Sequence, residues 1–388
     1  MATFLLVIIY TAFISLGLPD ALLGAGWPAM HTGFGVPIGY AGILQMIVSG
    51  GTIVSSLNSG RILRRFGTGR VTAVSVALTA AALFGFAFIP SFWWLIAAAV
   101  PLGLGAGAVD SGLNSFVAAH YESRHMSWLH SFWGVGALTG PLVLSAFLKR
   151  GGKWQSGYFS IAVFQTILVA ILVLSVPLWD KVRARKEQEG VDPSSPHPGL
   201  FEIIRLPGVK FALLSFLFYC GVEASMGLWS GSFLVKVKGM DPASAASWVS
   251  SFYAAITLGR FITGFVTFRV KNVDLVRWGS VVIGAGILLL LLPVPLPLTL
   301  AGIMLVGLGC APIFPCMIHE TPAHFGADKA PSIIGIQMAF AYVGTTLLPP
   351  FFGLVSSFTT LALLPVFLAV YAVALGFVSE RLRARSAG

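Results

Sequence analysis

Twelve apolar runs follow one another along this chain of 388 residues, and a helix needs about 20 such residues to cross the hydrocarbon core of a bilayer. The runs are unbroken rather than alternating, which excludes a transmembrane β-barrel. Only 10% of the residues are charged, against about 25% in soluble domains, so a water-facing surface cannot be assembled over this length. The cysteines, Cys220, Cys310 and Cys316, lie inside apolar runs, which excludes a secreted disulfide scaffold. Cys310 and Cys316 stand six residues apart without a partner cluster, so zinc is not expected, and nothing asks for any other metal or cofactor. The sequence reads as an all-α membrane protein of many spans.

The spans are placed near 3–31, 38–60, 69–89, 92–120, 127–148 and 156–179, then near 207–235, 243–268, 272–293, 296–321, 330–356 and 359–379. This gives an N-terminal six-helix bundle over 1–179, a polar linker over 180–206 and a C-terminal six-helix bundle over 207–388. The first run follows Met1 directly, lacks a basic leader and carries Asp20 and Pro28, so it is expected to be a span and not a cleaved signal. The net charge of +10 does not point to nucleic acid, because the basic residues sit in short clusters between apolar runs. One set of alternate loops holds eighteen Lys and Arg, from Arg61 to Arg385, and the other holds five: Lys149, Arg150, Lys153, Lys236 and Lys238. That asymmetry places both termini and the linker in the cytoplasm, with the Lys149–Lys153 cluster as the exception.

The two sets of six spans are related by a repeat. Gly17-Leu-Pro-Asp20 corresponds to Cys220-Gly-Val-Glu223, and Leu102-Gly-Leu-Gly105 to Val306-Gly-Leu-Gly309, at offsets of 203 and 204 residues. Gly60-Arg-Ile-Leu-Arg64-Arg65 and Gly140-Pro141 have weaker counterparts at Gly264 and at Leu348-Pro349. The stretch Gly60-Arg-Ile-Leu-Arg64-Arg65-Phe-Gly67-Thr-Gly-Arg70 resembles the Gly-x-x-x-Asp-Arg-x-Gly-Arg-Arg loop of the major facilitator superfamily, with Arg64 standing where Asp is usual. Within that superfamily the chain is similar to the fucose permease group. Asp20 matches that group's acid in the first helix, and Asp110-Ser-Gly-Leu-Asn114 matches its acid-x-x-x-Asn motif. The stretches His130 to Pro141 and Gly309 to Pro315 resemble it too. The resemblance implies two pseudo-symmetric bundles rocking about a central site, and proton-coupled sugar transport.

A charge at the bilayer centre costs about 2.5–3.5 kcal/mol on insertion scales. Of fourteen acids, ten fall in loops or at helix ends, leaving Asp20, Asp110, Glu223 and Glu320. Taking a carboxyl out of water without a cation favours its neutral form, and such a group can load a proton on one side and release it on the other. The alternative for Asp20 and Asp110 is a neutral acid bonded to a helix carbonyl. Asp20, Gly24, Trp27 and His31 follow the spacing of one helical face, and Asp110 and Asn114 are one turn apart. Glu223 is expected either in the central cavity or paired with Arg260, the one cation inside a span. Arg260 could equally snorkel to the surface. Glu320 ends its helix near the cytoplasm and is assigned, with Arg260, to a gate.

The expected proton-coupling residues are therefore Asp20, Asp110 and Glu223. Substrate contacts are assigned to Asp20, Trp27, Gln45, Asn114, His130, Trp133, Tyr253 and Gln337, since amides suit sugar hydroxyls and indoles cover apolar ring faces. Each of the uncharged polar residues could instead be a hydrogen bond between helices. Arg61, Arg64, Arg65 and Arg70 are assigned to a cytoplasmic gate. The glycine run Gly103-Leu-Gly-Ala-Gly107 lies in a helix with no strand before it, so it is a helix contact and not a nucleotide loop. The expected activity is proton symport of a small polar solute, with a monosaccharide first, by a monomer in a bacterial plasma (inner) membrane. Alternatives are a proton/drug antiporter, an uncoupled sugar facilitator and a nutrient sensor. A sensor would need a signalling segment for which the short linker leaves little room. No nucleophile–base pair points to an enzyme.

Overall fold

The computed structural model describes residues 2–88, 90–121, 123–187, 204–326 and 330–386, and these residues are mostly helical with no strand among them. The first half contains α1 (Ala2–Asp20), α2 (Leu22–Phe34), α3 (Ala41–Phe66), α4 (Thr68–Phe88), α5 (Phe92–His120), α6 (Ser123–Lys149) and α7 (Trp154–Glu187). The second contains α8 (Val209–Lys236), α9 (Pro242–Val266), α10 (Asn272–Leu291), α11 (Leu296–Phe325), α12 (Ala330–Phe358) and α13 (Leu364–Ser386). Short 3-10 turns at Ile38–Tyr40 and Leu361–Leu363 lead into α3 and α13. Among the described residues, twelve helical segments are long and apolar enough to cross a membrane, with α1 and α2 together making the first. Much of the linker, from 188 to 203, lies outside the described residues.

Large apolar side chains point outward as well as inward. Leu174 is 82% and Phe358 83% exposed, an arrangement that is stable only where the surrounding medium is itself apolar.

The break in the first span has a local cause. Pro19 carries no N–H, so the carbonyl of Ser15, one turn earlier, loses its helical partner. Gln165 of α7 replaces that partner, donating from Nε2 to the Ser15 carbonyl at 2.9 Å. Its Oε1 accepts from Thr79 Oγ1 of α4 at 2.8 Å. One buried amide thus ties three helices together and satisfies the backbone that proline disrupts. After Ala21 the chain resumes as α2, which ends where Gly35 adopts φ 66°, a conformation that favours glycine.

Two compact units divide the chain, Met1–Ser194 with Asp241–Ser250 and Ser195–Met240 with Ser251–Gly388. In the first, α1 packs on α6, α5 on α3 and α4, and α4 on α7. In the second, α8 packs on α12, α11 on α10, and α10 on α13.

The repeat extends to individual contacts. A Cβ on Gly103 would overlap the Val48 carbonyl, and one on Gly307 would meet the Phe252 carbonyl at 2.6 Å; both partners lie 204 residues on. A Cβ on Gly105 would meet the Ser75 carbonyl at 2.5 Å and one on Gly309 the Gly279 carbonyl at 2.6 Å, again 204 residues on. Gly17, Gly136 and Gly140 bring α1 against α6 in the same way, and Gly344 brings α12 against α8.

Candidate functional site

In the first unit the break after Asp20 sets the site. The Asp20 carboxylate is exposed although it lies within a span, and its Oδ2 accepts the indole N–H of Trp133 from α6 at 2.7 Å. Below it, Tyr10 and Phe13 continue the same face of α1. Tyr10 stacks on Phe132 with ring centroids 4.6 Å apart, and its hydroxyl is 2.7 Å from Nδ1 of His125. His130 meets the edge of Phe13 at 5.8 Å. On α5, Asn114 donates from Nδ2 to Asp110 Oδ1 at 2.8 Å and to the Asp110 carbonyl at 3.0 Å. The structure therefore gathers Asp20, Trp133, His130, Asp110 and Asn114 into one bundle, two carboxyls among them.

The face expected to continue from Asp20 does not. Trp27 and His31 lie on α2, beyond the break, so helical spacing counted across Ala21 loses its phase. Trp27 is 0% exposed, stands beside Phe92 at 6.2 Å and donates its indole N–H to the Ile38 carbonyl. It sits in the core of the first unit. Gln45 donates to Ser49 Oγ, one turn along its own helix, at 3.0 Å.

In the second unit, Glu223 of α8 is paired with Arg260 of α9 at 3.5 Å, both side chains largely buried. Tyr219 joins them: its hydroxyl donates to Glu223 and accepts from Arg260 Nη2 at 3.3 Å. Of the two open readings for Glu223, this arrangement is the pair, and Arg260 does not snorkel. Tyr219 is not among the residues that the sequence singles out, although it stands one turn before Glu223 on the same face. Tyr253 of α9 is buried with its hydroxyl against Gly227 of α8. Gln337 of α12 is 2% exposed and accepts from Thr321 Oγ1 at 3.0 Å. It forms a hydrogen bond between α11 and α12. Glu320 accepts from Asn272 Nδ2 of α10 at 3.0 Å, and it lines a small crevice of this unit with Thr321, His324 and Gln337.

Of the basic loop residues, Arg61 and Arg65 are exposed, and the Arg64 side chain lies outside the described set. Arg70 pairs with Asp180 of α7 at 3.2 Å. The repeat carries the mirror of this pair with the charges exchanged: Asp274 and Arg383, 204 and 203 residues on, approach at 3.9 Å. Arg277 and Glu380 reinforce it at 2.9 Å. These pairs are exposed and each is worth at most about 1 kcal/mol. Among the described residues no group of three or more His, Cys, Asp or Glu is placed to hold a metal ion.

Twelve candidate spans and an internal repeat mark a membrane protein of two related halves. The family model described as Major Facilitator Superfamily matches residues 9–349, and the chain belongs to that superfamily. The Glucose/mannose transporter GlcP of Bacillus subtilis is 28% identical over 254 residues, covering 63% of this chain and 60% of that one. Bypass of stop codon protein 6 of Saccharomyces cerevisiae is 27% identical over 199 residues, covering 46% and 40%. The matches thus span 60% and 40% of the length of these relatives. Among solved structures, a bacterial homolog to the human lysosomal transporter Spinster superposes with a TM-score of 0.80 at 15% identity, over 99% of this chain and 98% of that one. A D-xylose-proton symporter superposes with a TM-score of 0.73 at 11% identity, over 96% of each. Both share the fold.

Proposed function

We propose that this transporter couples proton movement to the symport of a small polar solute, a monosaccharide, by alternating access of its two halves. The observation that carries the reading is the exposed Asp20 carboxylate at the break in the first span, held by the Trp133 indole at 2.7 Å. A carboxylate accepts two sugar hydroxyls, and an indole covers the apolar face of the ring. Asp110 is assigned the proton. Protonation turns one of its oxygens into a donor while the other still accepts from Asn114, so the acid can be held in either state by the same amide.

His130 and Gln45 are assigned secondary solute contacts, and Glu223 a coupling role that requires its pair with Arg260 to open during the cycle. Arg61, Arg65 and Arg70 are assigned to a cytoplasmic gate, with both termini on that side as the loop asymmetry requires. The sugar reading is supported by the likeness to the Glucose/mannose transporter GlcP, and a bacterial plasma membrane by that relative's source.

The test is proton uptake into liposomes holding the full-length protein and a pH-sensitive dye, with a panel of monosaccharides added outside. One sugar is expected to evoke acidification of the interior that a protonophore abolishes. Sugar equilibration without acidification would make the chain an uncoupled facilitator. Proton movement driven only by extended apolar cations would make it a drug antiporter.

A further inference from the structure

Three cations at one end of the second unit lack an acidic partner among the described residues. The segment Arg381-Leu-Arg-Ala-Arg385 closes α13. Arg383 takes the acids there, reaching Glu380 at 3.8 Å and Asp274 at 3.9 Å. Arg381 and Arg385, one turn apart on another face, have only aromatic partners: Arg381 lies 5.1 Å over Phe377, and Arg385 lies 5.2 Å over Phe211. Lys210 of α8 lies 5.3 Å over the same Phe211 ring. Two like charges on one ring repel, and no carboxylate of the described residues relieves them.

Above this cluster α13 presents an apolar stripe at helical spacing. Val370, Val373 and Phe377 are 60%, 72% and 57% exposed, in line with Arg381 and then Arg385. An acyl chain fits the stripe, and a phosphate fits the cations, since an arginine fork meets phosphate oxygens in pairs and lysine adds a point charge.

We propose that Lys210, Arg381 and Arg385 bind the phosphate of one anionic phospholipid, whose acyl chain lies along Val373 and Phe377. The proposal commits to a lipid and not a free phosphate because the stripe on α13 runs directly into Arg381 and Arg385. Basic residues at a membrane surface contribute about fivefold each to binding of anionic lipid.

The test is native mass spectrometry of the delipidated full-length protein in a neutral detergent. It is titrated with phosphatidylglycerol, phosphatidylcholine of the same chains, or glycerol phosphate. Phosphatidylglycerol is expected to bind at one preferred site, and the Lys210→Gln/Arg385→Gln variant to weaken it about 25-fold. Charge-conserving Lys210→Arg/Arg385→Lys should retain it, and so should Lys271→Gln, which removes a cation elsewhere. Should the double variant not be recovered folded, Arg381→Gln reads the same site at about fivefold. Equal binding of phosphatidylcholine, or wild-type binding by the charge-removing variants, overturns the site. Glycerol phosphate binding as tightly as the lipid overturns the lipid as its occupant.

Discussion

Replacing Gly103 by valine is expected to leave no folded transporter to recover, and Gly307→Val is expected to do the same in the other half. Each glycine sits where two helix backbones touch. A Cβ at Gly103 overlaps the Val48 carbonyl oxygen, and one at Gly307 stands 2.6 Å from that of Phe252 and 3.1 Å from Ala255 Cβ. A flexible side chain could turn away, but a helix carbonyl cannot. The helices must therefore part, and with them goes the hydrogen bond from Thr52 Oγ1 to the Gly103 carbonyl at 3.2 Å. Overpacking a core costs about 1–3 kcal/mol where side chains can adjust, and a fixed backbone places these sites above about 4 kcal/mol. Gly264 and Gly284 are helical, and a Cβ on either would meet nothing within 4 Å, so alanine there is expected to be neutral or to add up to about 1 kcal/mol. Fluorescence-detected size exclusion and thermal melting in detergent separate the two groups. A monodisperse Gly103→Val protein melting like wild type would show that the helices do not meet there.

The second large effect is expected at Glu223. Replacing it by glutamine removes the carboxylate that faces the Arg260 guanidinium inside a span, beside the Tyr219 hydroxyl. Breaking one side of a buried ion pair costs about 3–5 kcal/mol. Arg260→Gln removes the other side and strands the carboxylate in turn. The double variant Glu223→Gln/Arg260→Gln strands neither charge and is expected to recover most of the loss, a strong non-additivity of the kind that double-mutant cycles measure. Losses that simply add would mean that the two side chains do not stabilise one another. Transport in the double variant then tells whether Glu223 does more than balance Arg260.

The spans are legible in the sequence because only length and apolar content decide them, and the polar segments between them are short. The repeat is legible in the Gly-x-Gly pairs at 103/105 and 307/309, since a backbone contact tolerates no other residue there. Side-chain partners are less so. The stripe from Asp20 to His31 fails because Pro19 frees a carbonyl and the helix restarts, and spacing carries no phase across a break. The same face read backward, through Gly17, Phe13 and Tyr10, does meet α6. Gln165 and Gln337 look alike in sequence to a solute ligand and to a helix clamp. Only the positions of Ser15, Thr79 and Thr321 decide between the two. The pair of Glu223 with Arg260 joins separate helices, and from sequence it is one of two open choices. Tyr219, one turn from Glu223, could be found by asking which hydroxyl shares that acid's face.

The most direct measurement compares wild type with Asp110→Asn in liposomes, reading sugar-evoked proton uptake and sugar counterflow side by side. Counterflow exchanges sugar for sugar and needs no net proton. If Asp110 carries the proton, the variant loses uptake by tenfold or more, about 1.4 kcal/mol or beyond, while counterflow persists. Proton uptake at the wild-type rate in Asp110→Asn would contradict that assignment.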